Sequence, residues 1–146
     1  MATIQDVYNA FMAKMTEDEW VSWDKADRER DWRALFDGAL PLFKFPRVSL
    51  EVDESGNFKD KVTNAEIQII ATFMKVLWLD RTILSWENVK PLYAERDFSQ
   101  ANLVKELKNL LECEHERAAK LESNYYRSIE NNPYNYRVLA GDNYGE

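Results

Sequence analysis

The sequence predicts a mainly α protein: a helical bundle with a long C-terminal helix, a small β-hairpin insertion and an extended C-terminal tail. Three observations carry this. No Gly or Pro interrupts the stretch from Asp97 to Glu130, where apolar residues recur at three- and four-residue steps. Capping-box patterns, Thr16 with Glu19 and Thr63 with Glu66, announce further helices. Val48, Leu50 and Val52 alternate with Ser49 and Glu51, the period of a half-exposed strand. The domain reading is a helical domain over 1–130, with its hairpin at about 46–60, and a tail over 131–146.

The first helix follows Thr3, with Ile4, Val7, Tyr8, Phe11 and Met15 on one stripe. Thr16 introduces a short helix carrying Trp20 and Trp23. Another begins near Asp27, with Trp32, Leu35, Phe36 and Ala39 on its buried side, and Gly38 and Pro41 end it. Asp53 to Asn57 is a turn and Phe58 starts a return strand. An isolated two-stranded hairpin is only marginally stable in water, so it leans on the helices or on another chain; an ordinary surface loop is the alternative. Thr63 caps the most apolar helix, residues 64–80, with Ile67, Ile70, Ala71, Met74, Leu77 and Trp78 on one face and Ile69, Phe73 and Val76 widening it. So wide a stripe fits the central helix of a bundle. Asp80 or Arg81 closes it, and Ser85 to Ala94 forms a short helix with Trp86, Val89, Leu92 and Tyr93 inward.

The long helix is expected over residues 99–130, with Ser99 as N-cap and Asn131-Asn132-Pro133 as its stop. Leu103, Leu107, Leu110, Leu111, Ala118, Leu121 and Tyr125 form its stripe, and the acids and bases between them suit a wetted face. A helix of about 30 residues is roughly 45 Å long, enough either to project and carry an interface or to pack along a whole bundle. The tail from Asn131 to Glu146 has no helical period and holds Tyr134, Tyr136, Val138, Leu139 and Tyr144. It is read either as a segment that docks on a neighbour or as an idle terminus.

The composition of the 146 residues narrows function. The net charge is −7, with the acid excess in both halves and no basic arm, so an electrostatic grip on nucleic acid is not indicated. A single cysteine, Cys113, excludes an internal disulfide and a cysteine-rich zinc site. No run approaches 18 consecutive apolar residues, and the N-terminus lacks a secretory pattern; the expectation is a soluble chain of a reducing compartment. Cys113 and His115 are two apart, on different sides of a helix, and cannot share a metal. Glu112 meets His115 or Glu116 in spacing, but such charged rows are ordinarily solvated. With no phosphate-binding loop, nucleophile elbow or HExxH, the chain is read as no enzyme, with no catalytic residue, metal or cofactor. Five Trp, seven Tyr and seven Phe exceed what a small core needs, and aromatic residues are enriched in interface cores. The candidate interface residues are Val48, Leu50, Val52, Phe58, Tyr134, Tyr136, Val138, Leu139 and Tyr144.

Along the central and long helices the chain resembles the head–tail adaptor (connector, or neck) proteins of tailed bacteriophages of Gram-positive hosts. The resemblance rests on Glu66-Ile67, Trp78-Leu79, Val89 to Leu92, the run Asp97, Phe98, Ser99, Gln100, Ala101 and Asn102, then Lys105-Glu106-Leu107 and Tyr125-Tyr126. It covers residues 63–130; the Trp-rich stretch 16–45 and the tail after Pro133 have no counterpart. The resemblance implies a virion protein of the neck, made in the host cytoplasm. Its copies would form a ring, commonly twelve-fold, beneath the portal protein. The ring extends the channel through which genomic DNA passes without specific binding and docks the next neck or tail protein, with no membrane involved. The alternatives are a tail-terminator or other ring protein of the same virion, and a phage-encoded regulator that binds a host protein.

Overall fold

The computed structural model describes residues 2–15, 20–89 and 97–127, the side chains of 88, 89 and 97–101 excepted. Helices α1 (Ile4–Ala13), α2 (Lys25–Ala39), α3 (Asn64–Val89) and α4 (Asp97–Arg127) make up most of it, with a 3₁₀ turn, Leu40–Leu42, after α2. α3 is the centre, packed against α1, α2 and α4. The pairs Lys75–Glu114 and Glu87–Lys108 run in opposite order along α3 and α4, so these two helices are antiparallel.

α1 starts with a complete capping box: the Thr3 amide donates to Asp6 Oδ2 at 2.8 Å and the Asp6 amide to Thr3 Oγ1 at 3.3 Å. It buries Val7, Tyr8 and Phe11, while Met15 falls beyond its end. α2 buries the four expected residues, Trp32, Leu35, Phe36 and Ala39, and Pro41 sits in the 3₁₀ turn that ends it. Trp20 and Trp23 lie in a turn instead of the expected helix; the expected cap, residues 16–19, is outside the described residues. Buried Trp20 meets the rings of Phe11 at 5.6 Å and of Trp32 and Trp78 at 6.2 Å each. One indole thus joins α1, α2 and α3.

At the start of α3 the Thr63 hydroxyl donates to the buried Glu66 carboxylate. No residue of α3 from Ile67 to Leu79 is exposed, and Ile83 adds a further buried residue. It does not close at Asp80 or Arg81 but continues to Val89, absorbing the first half of the helix expected at Ser85–Ala94; residues 90–94 lie outside the described residues. The physical reason is that nothing between 80 and 89 breaks a helix, and Ile83 prolongs the buried stripe one turn beyond Leu79. α4 is the longest described helix, at 31 residues. Ser99 lies inside it and is not its N-cap, since residues 97 and 98 are already helical. The tail 131–146 is outside the described residues.

The expected hairpin at 46–60 is not formed: among the described residues there is no strand, only the isolated bridges Val52–Phe58 and Thr3–Asn57. The alternation is present as burial, with Leu50 buried, Val48 and Val52 half-buried, and Ser49 and Glu51 exposed. Backbone pairing stops at two bonds around the Val52–Phe58 bridge, Lys59 N to Glu51 O at 3.0 Å and Asp53 N to Asn57 O at 2.9 Å, because side chains take the donors on either side. The Ser49 amide donates to Asp60 Oδ2 at 3.1 Å. Asp53 Oδ1 accepts the amides of Ser55 and Asn57 at 2.9 and 3.0 Å. Such local bonds compete with a ladder. The far edge is taken by the chain start, Ile4 N to Gly56 O at 2.7 Å and Phe58 N to Ala2 O at 3.2 Å. The segment is a loop clamped to the beginning of α1.

Candidate functional site

Between α3 and α4 lies a buried charge. Glu114 occupies the stripe slot between Leu111 and Ala118 and is 2% exposed. Its Oε1 accepts from Lys75 Nζ at 3.0 Å and from Arg117 at 2.9 Å, while Oε2 has no hydrogen-bond partner among the described residues. Burial, then the Arg117 charge, lower the Lys14 ammonium, with Glu114 pulling it the other way and Lys75 adding to the fall. Two cations, Lys75 of α3 and Arg117 of α4, thus pair with one carboxylate, and Lys14 just past the end of α1 feels its charge. By its chemistry alone Glu114 belongs with the acids and bases of the wetted face. The signal that finds it is positional: residues 103, 107, 111, 114, 118, 121 and 125 form one unbroken stripe.

A second polar knot joins α2 to α3. Arg81 donates to both oxygens of Asp31, at 2.6 and 3.1 Å, and Trp20 Nε1 donates to Asp31 Oδ2 at 2.7 Å. Burial raises the Asp31 carboxyl, but the hydrogen bonds from Arg81 and Trp20 and the Arg81 charge outweigh it and hold it below its ordinary range. Beside this knot opens a cleft of about 680 Å³ lined by Ser22, Trp23, Asp24, Asp27, Arg30, Asp31 and Ala34. Trp23, in its lining, is 37% exposed, and Val21, two residues before it in sequence, is 76% exposed.

At the other end of α2 the chain forms a basic, aromatic knob. Leu42 is 36% and Phe45 71% exposed, and Lys44 and Arg47 are exposed beside them. The knob is braced by the end of α4. The Arg47 amide donates to the Tyr125 hydroxyl at 2.8 Å, the Arg47 guanidinium lies 4.8 Å over the Tyr125 ring, and Phe45 meets Tyr126 at 6.3 Å. Tyr126 donates to Glu122 at 3.2 Å. Burial, then the Glu122 charge and this hydrogen bond, push the phenol up to about 12. A second groove, about 500 Å³, runs between α3 and α4 past Trp78, Thr82, Trp86, Leu103 and Leu107.

Of the candidate interface residues, Phe58 and Leu50 are buried inside the chain, Phe58 against Phe36 at 6.1 Å, and Val48 and Val52 are half-buried. Tyr134, Tyr136, Val138, Leu139 and Tyr144 lie outside the described residues. Asp97 to Asn102 form the first turns of α4, and Asn102 is exposed. Cys113 and His115 are both exposed. Among the described residues no group of three or more His, Cys, Asp or Glu is placed to hold a metal, and no helix is long and apolar enough to cross a membrane. The exposed patches at Val21–Trp23 and Leu42–Phe45 escaped the sequence reading, because no periodicity marks an apolar residue that stays outside.

Comparisons with protein-family models, with curated proteins and with solved structures found no match to this chain.

Proposed function

We propose that this chain is a structural virion protein, a head–tail adaptor whose copies form a ring below the portal of a tailed phage. The ring extends the DNA channel and docks the next neck or tail component. The observation that carries the reading is the run Asp97-Phe98-Ser99-Gln100-Ala101-Asn102 opening a 31-residue helix. The residues that resemble the adaptors fall largely on α3 and α4, the antiparallel pair around which the rest packs.

Two further features support it. The charged groups inside the fold tie helices together: Glu114 joins α3 and α4, and Asp31 joins α2 and α3. That is the work of a scaffold. The net charge of −7, repeated around a ring, makes a channel wall that repels phosphates and lets DNA slide, where basic residues would grip it. The chain then works without a cofactor and without chemistry, by joining surfaces.

Deleting the gene tests the reading. The expected result is DNA-filled heads and separate finished tails that do not join, restored to infectious particles by supplying the protein from a plasmid. Normal infectious particles from the deletion would overturn it.

A further inference from the structure

The exposed large apolar residues of the described structure are not scattered evenly. Val21 and Trp23 stand at one end of α2, Leu42 and Phe45 at the other, and only Leu84 and Leu110 lie elsewhere. The two patches differ in charge. The cleft beside Trp23 is lined by Asp24, Asp27 and Asp31 against one Arg30. Residues 40–48 carry Lys44 and Arg47 and no acid. Asp27 and Asp31 are engaged by Arg30 and Arg81. Asp24 makes no side-chain cap bond, and Asp24, Lys44 and Arg47 form no ion pair among the described residues, while Arg47 lies over the Tyr125 ring and Lys44 acts on the Glu122 charge.

We infer that the acidic cleft beside Trp23 in one copy receives the basic Leu42–Arg47 knob of the next copy, so that copies join head to tail. The inference rests on the assembly reading above and names the surfaces that meet. The two patches cannot meet within one chain, because the 15 residues of α2 hold their ends apart by about 22 Å at 1.5 Å per residue. The apolar and aromatic side chains supply the centre of the contact and the charges its rim, the usual anatomy of a protein interface. Phe45, 71% exposed, is the anchor, and Trp23 in the open cleft offers it an aromatic face to meet. Because the two surfaces differ, the contact is heterologous, and repetition generates a ring when the rotation closes. Lys44 and Arg47 facing Asp24 and Asp27 fix the register, since like charges brought together there are strongly disfavoured.

The test uses the full chain and two charge reversals at exposed positions, with mass in solution as the readout. One variant carries Lys44→Glu and Arg47→Glu, the other Asp24→Lys and Asp27→Lys. Wild type is expected to self-associate when concentrated. Each variant alone associates about tenfold more weakly or worse, with unchanged helical circular dichroism. An equimolar mixture regains assembly, because each altered surface then meets its complement on the other variant. Phe45→Ala weakens wild-type association without a charge change, which keeps the test open if a reversal fails to fold. The inference is overturned by a wild type that stays monomeric when concentrated. It is equally overturned by assembly that survives both reversals, or by folded variants that mixing does not rescue. These outcomes leave the adaptor reading standing if the protein is still found in virions.

Discussion

Arg81 of α3 grips Asp31 of α2 through two hydrogen bonds, at 2.6 and 3.1 Å, across fifty positions of sequence. Trp20 adds a third at 2.7 Å. Because the folded state holds the Asp31 carboxyl below its ordinary range, the charged form stabilises the fold. That stability is complete above the unfolded value of about 3.9 and is lost as pH falls through the lower folded value. Asp31→Asn is expected to cost about 1–3 kcal/mol at neutral pH and to flatten the loss of stability below about pH 4. Urea unfolding at several pH values checks both; parallel wild-type and variant profiles through the acid range would refute the pairing.

Glu114 makes the opposite kind of prediction about pairs and singles. Removing it alone leaves Lys75, only 16% exposed, without its carboxylate, and Glu114→Ala is expected to cost about 3–5 kcal/mol. Replacing both, Lys75→Met with Glu114→Leu, is expected to recover most of that loss, since a buried pair exchanged for apolar residues of similar volume is often neutral or stabilising. Thermal unfolding of the single and double variants decides it. A double variant as unstable as the single one would mean that the charge pair itself, and not its desolvation, holds α3 to α4.

Much of the fold is written in periodicity. Trp32, Leu35, Phe36 and Ala39 are buried together as their spacing requires, and Ile67 to Leu79 fill a central helix as their wide stripe requires. Periodicity fails where another constraint acts. Asp80 and Arg81 resemble a helix end, but Ile83 is still buried in the core and no residue from 80 to 89 breaks the helix. Glu114 has a wetted side chain's chemistry and a core position's spacing, and the position wins because Lys75 and Arg117 are there to meet it. Val48, Leu50 and Val52 alternate as a strand does, yet only the Val52–Phe58 bridge pairs, since the Asp60 and Asp53 carboxylates take the amides of Ser49, Ser55 and Asn57 on either side of it. The Asp31–Arg81 pair and the exposed Phe45 have no local signal, because both depend on which distant segments the packing brings near.

Burial along α3 predicts a gradient of mutational cost. Ile70 is fully buried, Leu77 half-buried and Leu84 58% exposed. Ile70→Ala is expected to cost about 2–5 kcal/mol, Leu77→Ala less, and Leu84→Ala within about 0.5 kcal/mol of wild type. Chemical denaturation of the three variants reads the order. A Leu84 variant as unstable as the Ile70 variant would place α3 the wrong way round in the bundle.

Gly56 holds φ at +86°, and a Cβ there would stand 3.3 Å from Ile4 Cγ2. Gly56→Ala is therefore expected to destabilise by about 1–2 kcal/mol through left-handed strain, and to loosen the loop from α1. The checks are the unfolding midpoint and faster amide exchange at Ile4 and Phe58, whose amides bond across this junction. An Ala variant as stable as wild type would show that the loop relaxes freely and does not clamp the start of α1.

The proposal that this chain is built into a virion neck is tested most directly by quantitative peptide mass spectrometry of purified, infectious particles of a phage carrying its gene. The prediction is that its peptides are present at a fixed copy number matching a ring on the portal, and that they leave the heads when necks are stripped away. Finding the chain only in the soluble fraction of infected cells, and absent from purified particles, would contradict the adaptor reading.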